Sequence, residues 1–221
     1  MPSEEYVAVP KAVFDLVAER YVEFVGTEIG AATESADDQL LLVAFADLMK
    51  RDRGGVQRVA DLGCGPGRVA AFMAARGLEV LGVDVSAAMV TIARNAHPHI
   101  AFVVGRLDAL PIGTGELAGA VCWYSIIYTP PEHLQQTFAE LARVVPPGGP
   151  VLLAFQAGNG DALHREQAHG TNLSLTLYRH DVGGVSRRLE DAGFVVAETT
   201  LREPQLDHET DPQAFVRARR R

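Results

Sequence analysis

Three observations predict an α/β fold for this chain: a glycine-rich turn between a strand signal and a helix signal at residues 59–67, a second β-rich run that ends on an acid, and alternating strand and helix signals from there onward. Residues 59–67 read Val-Ala-Asp-Leu-Gly-Cys-Gly-Pro-Gly, with an apolar run from Val56 leading in and a helix-compatible run from Arg68 to Arg76 leading out. Gly63, Gly65 and Gly67 carry no Cβ to block close approach or restrict φ, and N–H groups at a helix start offer donors to an anion or carboxylate. This turn is expected to cradle a nucleotide-type cofactor. Residues 79–83 form the second strand signal, and Asp84 follows Gly67 by 17 residues, near the distance at which a βαβ unit delivers an acid to a ribose.

The spacing argues against a dinucleotide, because the Gly-x-Gly-x-x-Gly fingerprint needs glycine where Arg68 stands. The pattern Asp61-x-Gly63-x-Gly65-x-Gly67 instead resembles the first motif of class I S-adenosylmethionine-dependent methyltransferases, and the chain is similar to that family from about Phe14 to its C-terminus. Val85-Ser86-Ala87-Ala88-Met89 matches the family's Asp-x-Ser-x-x-Met when read with Asp84, with Ser86 as a helix N-cap and Met89 against the adenine. Phe14-Asp15-x-x-Ala18-x-x-Tyr21 is similar to the segment ahead of the fold in small-molecule members, where the final tyrosine covers the methionine end of the cofactor.

The resemblance implies a Rossmann-like three-layer sandwich: a seven-stranded, mostly parallel sheet whose last strand is antiparallel, under an N-terminal helical cap. It implies S-adenosyl-L-methionine as cofactor, held by Tyr21, Asp61, Gly63, Cys64, Gly65, Asp84, Val85, Met89, Arg106, Leu107, Trp123 and Tyr124. One motif departs from the family. Where relatives carry Gly-Asp-x-x-x-Leu-Pro, this chain has Gly105-Arg106-Leu107-Asp108-Ala109-Leu110-Pro111, so the adenine contact falls to the backbone of Arg106 and Leu107 or to Asp108.

Residues 1–55 are expected to form the cap and residues 56–221 the core, with strands at 151–156 after the Pro-Pro-Gly-Gly-Pro turn, at 194–200, and at 213–219 as an antiparallel edge. The fourth strand ends in Trp123-Tyr124-Ser125, followed by Tyr128, at the sheet edge where open α/β folds bind ligands. Trp123, Tyr124, Ser125 and Tyr128 are therefore acceptor-side candidates. The polar insert at residues 158–181 is expected to be an acceptor lid, and with Tyr128 its His164, His169 and Tyr178 are the catalytic candidates; His180 and Arg179 lie in the same insert.

Composition bounds the partners. A formal net charge of −8 without a basic stripe disfavours a phosphate backbone as acceptor, and the arginines from Arg217 to Arg221 read as a solvated tail. Two cysteines, Cys64 and Cys122, fit a reducing compartment; no metal-ligand spacing, membrane-length apolar stretch or signal-peptide pattern is present, so a cytoplasmic enzyme is expected. The reaction implied is methyl transfer to an oxygen or nitrogen of a small metabolite. The alternatives are a non-catalytic S-adenosylmethionine-binding module acting through a partner, and an NAD-dependent oxidoreductase.

Overall fold

The structure, a computed structural model, describes residues 5–51 and 58–221. Val56, and with it the boundary between residues 55 and 56, lies outside the described residues. Helices α1 (Glu5–Val25) and α2 (Ala36–Arg51) precede β1 (Arg58–Leu62), α3 (Arg68–Ala74), β2 (Glu79–Asp84), α4 (Ala87–Ala96), β3 (Ala101–Val104) and β4 (Gly119–Trp123). Then follow α5 (Leu134–Val144), β5 (Pro150–Gln156), β6 (Asp161–Arg165), β7 (Leu175–Arg179), α6 (Val182–Asp191), β8 (Phe194–Arg202) and β9 (Gln213–Arg220).

One seven-stranded sheet has the order β3-β2-β1-β4-β5-β9-β8. Strands β1 to β5 pair in parallel, and β9 runs antiparallel to both β5 and β8. The order reverses between β1 and β4, which is the switch point where a crevice opens outside the strand ends. Central strands β4 and β5 are buried along almost their whole length, as parallel strands covered on both faces must be. On one face pack Leu42, Phe45 and Met49 of α2, Val69 and Met73 of α3, and Val90 of α4; on the other pack Phe138 and Leu141 of α5 with Val185 and Leu189 of α6. Helix α2 is thus part of the sandwich, and α1 alone of the two N-terminal helices is placed over the cleft.

Two sequence expectations need correction. Strand β9 is not the edge: Ala214, Phe215, Val216 and Ala218 are buried between two partners, whereas β8 alternates and leaves Val195 and Leu201 exposed. The terminal arginines are accordingly not a solvated tail. Arg217 pairs with Glu198, Arg219 donates to the Gly148 carbonyl, and Arg220 donates to the Ala142 and Gly193 carbonyls.

The insert at residues 158–181 is a β-hairpin, with Leu163 opposite Leu177 and His164 opposite Thr176. Its signal is the alternation Leu173, Leu175, Leu177. Leu175 and Ala168 pack on Val13 and Val17 of α1, which joins hairpin and helix into one roof.

Candidate active site

Strand β1 runs directly into the turn, and Gly63, Gly65 and Gly67 all adopt positive φ, at 76°, 50° and 89°. A Cβ on Gly63 would stand 2.2 Å from the Ser125 Cβ, while one on Gly65 would project into open space, so Gly65 is where a ligand can meet bare backbone. Within the turn itself the amides are engaged. Gly63 and Cys64 donate to the Val83 carbonyl, Gly65 to Asp84 Oδ2 and Gly67 to the Cys64 carbonyl, so the cradle works by shape and by the acid beside it.

Asp84 ends β2 with Oδ1 on the Ser86 amide and Oδ2 on the Gly65 amide, each at 2.8 Å. Burial raises its pKa against those two bonds. Each oxygen keeps a lone pair for a further donor. Ser86 caps α4 by accepting from the Met89 amide at 3.1 Å, and its own hydroxyl donates to Asp15 of α1 at 2.7 Å. Asp15 thereby docks α1 on the start of α4.

Asp61 is 2% exposed and does not line the cleft. Its Oδ2 accepts from the Ala70 amide at 2.9 Å, which ties β1 to the first turn of α3; Cys64 likewise is buried behind the turn. Burial pushes the Asp61 carboxyl up to about 7, the Ala70 bond opposing. An unfolded Asp ionises near 3.8, so this group favours the folded state least above pH 7. The stability advantage of Asp61→Asn over the parent is therefore expected to grow by a few kcal/mol, on the order of 1.4 per pH unit, between pH 4 and 8. Urea melts of both proteins across that range check it; parallel pH profiles would refute it.

The altered third motif builds its own ion pair. Arg106 Nε and Nη2 fork onto Asp108 at 2.8 Å each, and the Tyr6 hydroxyl of α1 donates to the same carboxylate at 2.8 Å. The Arg106 hydrogen bonds, aided by Tyr6, hold Asp108 below the usual carboxylate range although burial opposes them. Asp108 is thus held by protein groups. Arg68, the residue that breaks the dinucleotide fingerprint, reaches back to Glu34, to Thr33 Oγ1 at 2.7 Å and to the Glu28 carbonyl, so it anchors the connection between α1 and α2.

A cavity of about 310 Å³ is lined by Gly63, Gly65 and Asp84, by Val85, Met89, Arg106 and Leu107, and by Trp123, Tyr124 and Tyr128. Tyr21 and Phe14 of α1 close its side, and the Phe14 ring meets Tyr21 and Tyr128 edge-on at 5.4 and 5.2 Å. Burial raises the Tyr21 and Tyr128 hydroxyl pKa values, which leaves both protonated near neutrality, as donors rather than bases.

The hairpin candidates fare differently. Leu177 faces the cavity, so the period-2 alternation turns Tyr178 to the opposite face, where it stacks on His180 at 6.3 Å. His164 bonds Thr176 at 3.1 Å on an exposed face, and buried His180 is held by the Ile126 carbonyl at 3.0 Å. None of these three side chains lines the cavity. His169 sits at the hairpin tip behind Tyr21 and Phe14, and burial, then Arg165, lowers its pKa. The sequence reading missed the connection between β8 and β9, which brings His208 and Glu209 to the cavity wall, where Gln213 at the start of β9 also stands, paired with Gln156 at the end of β5. Its polar composition resembles any surface loop, and no local periodicity marks it.

Fold and cleft together define a Rossmann-like α/β protein that takes a nucleoside-type cofactor at its strand ends. A methyltransferase-domain family model matches residues 59–149. The chain is 32% identical over 158 residues to an uncharacterized methyltransferase from Synechocystis sp., covering 66% of this chain and 70% of that protein. It is 34% identical over 119 residues to the malonyl-[acyl-carrier protein] O-methyltransferase of Erwinia billingiae, covering 54% of this chain and 46% of that one. The chain spans about half the length, or less, of the malonyl-[acyl-carrier protein] relatives it matches first. The magnesium protoporphyrin IX methyltransferase of Synechocystis, solved with bound S-adenosylmethionine, shares the fold at 19% identity with a TM-score of 0.70, covering 98% of this chain and 97% of that one. This chain belongs to the S-adenosylmethionine-dependent methyltransferase family. Open space at Gly65 and the acid at Asp84, on one continuous cavity, fit that cofactor.

Proposed function

We propose that the protein transfers a methyl group from S-adenosylmethionine to an oxygen or nitrogen of a small molecule. The observation that carries this reading is the continuity of the cavity from the Gly65–Asp84 cradle to the aromatic wall of Phe14, Tyr21 and Tyr128. When bound, the cofactor supplies a sulfonium methyl open to in-line displacement. Asp84 accepts from the ribose, Met89, Val85 and Leu107 enclose the base beside the Arg106 backbone, and Gly63 and Gly65 admit the methionine end. Trp123 and Tyr124 bound that end, while Tyr21 and Tyr128 exclude water and orient the acceptor through their hydroxyl donors. Asp61 and Cys64 support the turn from behind.

Helix α1 serves as the cap, and the hairpin closing on it serves as the acceptor lid, with His169 at its tip. The partner is a small molecule and not a nucleic acid, since the C-terminal arginines are spent on β9 and its neighbours. No helix among the described residues is long and apolar enough to cross a membrane, which is in keeping with a cytoplasmic enzyme. Isothermal titration tests the cofactor half of the proposal. The protein is expected to bind S-adenosylhomocysteine and not NAD, and binding of NAD alone would overturn it.

A further inference from the structure

The tyrosines on the cavity wall, Tyr6, Tyr21, Tyr124 and Tyr128, are not alike. The Tyr6 hydroxyl donates to Asp108 at 2.8 Å, and the Tyr124 hydroxyl is fully enclosed by protein. Tyr21 and Tyr128 are only part-buried; their hydroxyls bond no described residue and, unlike that of Tyr124, are not fully enclosed. Both side chains line the cavity, so each hydroxyl keeps surface there for a ligand, and the two rings flank Phe14 at 5.4 and 5.2 Å. Burial raises both hydroxyl pKa values and Asp84 adds to it in each, with Tyr21 adding to it at Tyr128. The pair offers two protonated phenol donors to one ligand.

The same wall is poor in proton acceptors. Among its described residues the acids are Glu34, Asp84, Asp108 and Glu209. Glu34 is held by Arg68, and Asp108 by Arg106 and Tyr6. Against burial, Arg202 and the amides of Gln205 and Leu206 bring the Glu209 carboxyl down to about 2. Carboxylates held in this way are weak bases. Asp84 holds the Gly65 and Ser86 amides and faces the ribose in the reading above. His208, the one histidine among the described lining residues, is exposed and meets Phe24 edge-on at 5.9 Å. Such a wall suits a nucleophile that arrives with no proton to lose. An alcohol or an amine is protonated at neutral pH, whereas a carboxylate is ionised and can accept from both phenols at once.

We infer that the methyl acceptor is a small-molecule carboxylate, received by the hydroxyls of Tyr21 and Tyr128 and methylated without a general base. A carboxylate lone pair forms the new oxygen–methyl bond as the carbon–sulfur bond breaks and its electron pair passes to sulfur. The products are a methyl ester and S-adenosylhomocysteine with a neutral sulfur, and no proton is released. With Arg68 and Arg106 engaged by acids, the charge that draws the carboxylate in is the cofactor's sulfonium. This inference rests on the methyl-transfer reading of the same cavity.

The test uses the full chain saturated with sinefungin, an analogue of S-adenosylmethionine whose amine stands in for the methyl-bearing sulfonium. Phenylacetate and hexanoate are each titrated against their primary amides, phenylacetamide and hexanamide, which keep the shape and remove the charge. At least one carboxylate is expected to bind about tenfold or more tightly than its amide, and Tyr21→Phe or Tyr128→Phe should each cost it at least about fivefold. With S-adenosylmethionine in place of sinefungin, that carboxylate should yield a base-labile methyl ester, at a rate that changes by less than about threefold between pH 6.5 and 8.5. His208→Gln should leave that rate unchanged. Failure of both sinefungin and S-adenosylhomocysteine to bind would count against the methyltransferase reading itself. With sinefungin bound, the inference is overturned by carboxylates that do not bind or bind no better than their amides, or by tyrosine variants that are both indifferent. It is equally overturned if no ester forms, if the rate climbs with pH, or if it collapses in His208→Gln. Should either tyrosine variant fail to fold, the carboxylate preference and the flat pH profile of the parent protein decide.

Discussion

Arg202→Ala is expected to destabilise the protein by about 3–5 kcal/mol, the cost of stripping the partner from a buried charge. The Arg202 side chain is 8% exposed and forks onto Asp38, 1% exposed, and Glu209, 6% exposed. Its four contacts to those carboxylates run from 2.6 to 2.9 Å. Burial works against ionisation of Glu209, yet Arg202 and the amides of Gln205 and Leu206 bring its carboxyl down to about 2. Removing the guanidinium leaves both acids in a site that solvates neither, and of the two ties between α2 and the connection carrying Glu209 only that of Gln205 to Asp37 remains.

Arg58 provides the comparison, since it pairs with Glu79 at 2.7 Å but with the two side chains 45% and 58% exposed. Arg58→Ala is expected to cost about 1 kcal/mol or less, because water replaces the lost contact. In a chain of this size the Arg202 variant should melt roughly 10 °C lower, and the Arg58 variant within a few degrees of the parent. Equal melting temperatures for the two variants would show that the buried hub contributes no more than a surface pair. The Glu209 pKa adds a pH signature. The group's stabilisation is complete above its ordinary 4.5 and is lost as pH falls through about 2, so the penalty of Arg202→Ala should shrink on acidification.

That hub also shows which parts of the molecule are legible in its sequence. The turn at Gly63–Gly67, the acid at Asp84 and the cap at Ser86 follow from local spacing, because a strand, a tight turn and a helix start each constrain only the residues beside them. The parallel order of β1 to β5 follows from the alternation of short apolar runs and helical segments. Arg202 and Asp38 are 164 residues apart, and no local period links them. The same holds for Arg68, whose sequence role is only negative until its contacts with Glu34 and Thr33 are seen. For Asp108, two residues beyond Arg106, proximity in sequence was visible, but the Tyr6 hydroxyl that completes the cluster comes from 102 residues away.

The hairpin is a different case, since Leu173, Leu175 and Leu177 do announce a strand. Reading the insert by its polar and titratable residues favours His164, His169 and Tyr178, whereas the pleat turns Leu177 inward and His164 and Tyr178 away from the cavity. Polarity identified the segment as exposed, and only periodicity identifies which of its side chains face the ligand.

Asp84→Ala should raise the dissociation constant for S-adenosylhomocysteine at least tenfold, a loss of about 1.4 kcal/mol or more. Two hydroxyl donors on an ionised acceptor contribute about 1.5–3 kcal/mol each before water recovers part of the loss. The substitution also frees the Gly65 and Ser86 amides that Asp84 now holds at 2.8 Å, so the turn loses its brace as the ribose loses its acceptor. Asp84→Asn separates the two effects. It keeps one carbonyl oxygen but sets an NH2 group against the Gly65 or Ser86 N–H, and its affinity should fall between that of the parent and of the alanine variant. Calorimetric titration measures all three, with circular dichroism confirming the fold. If folded Asp84→Ala binds like the parent, Asp84 only braces the turn, and the acceptor for the ribose must be sought elsewhere on the cavity wall.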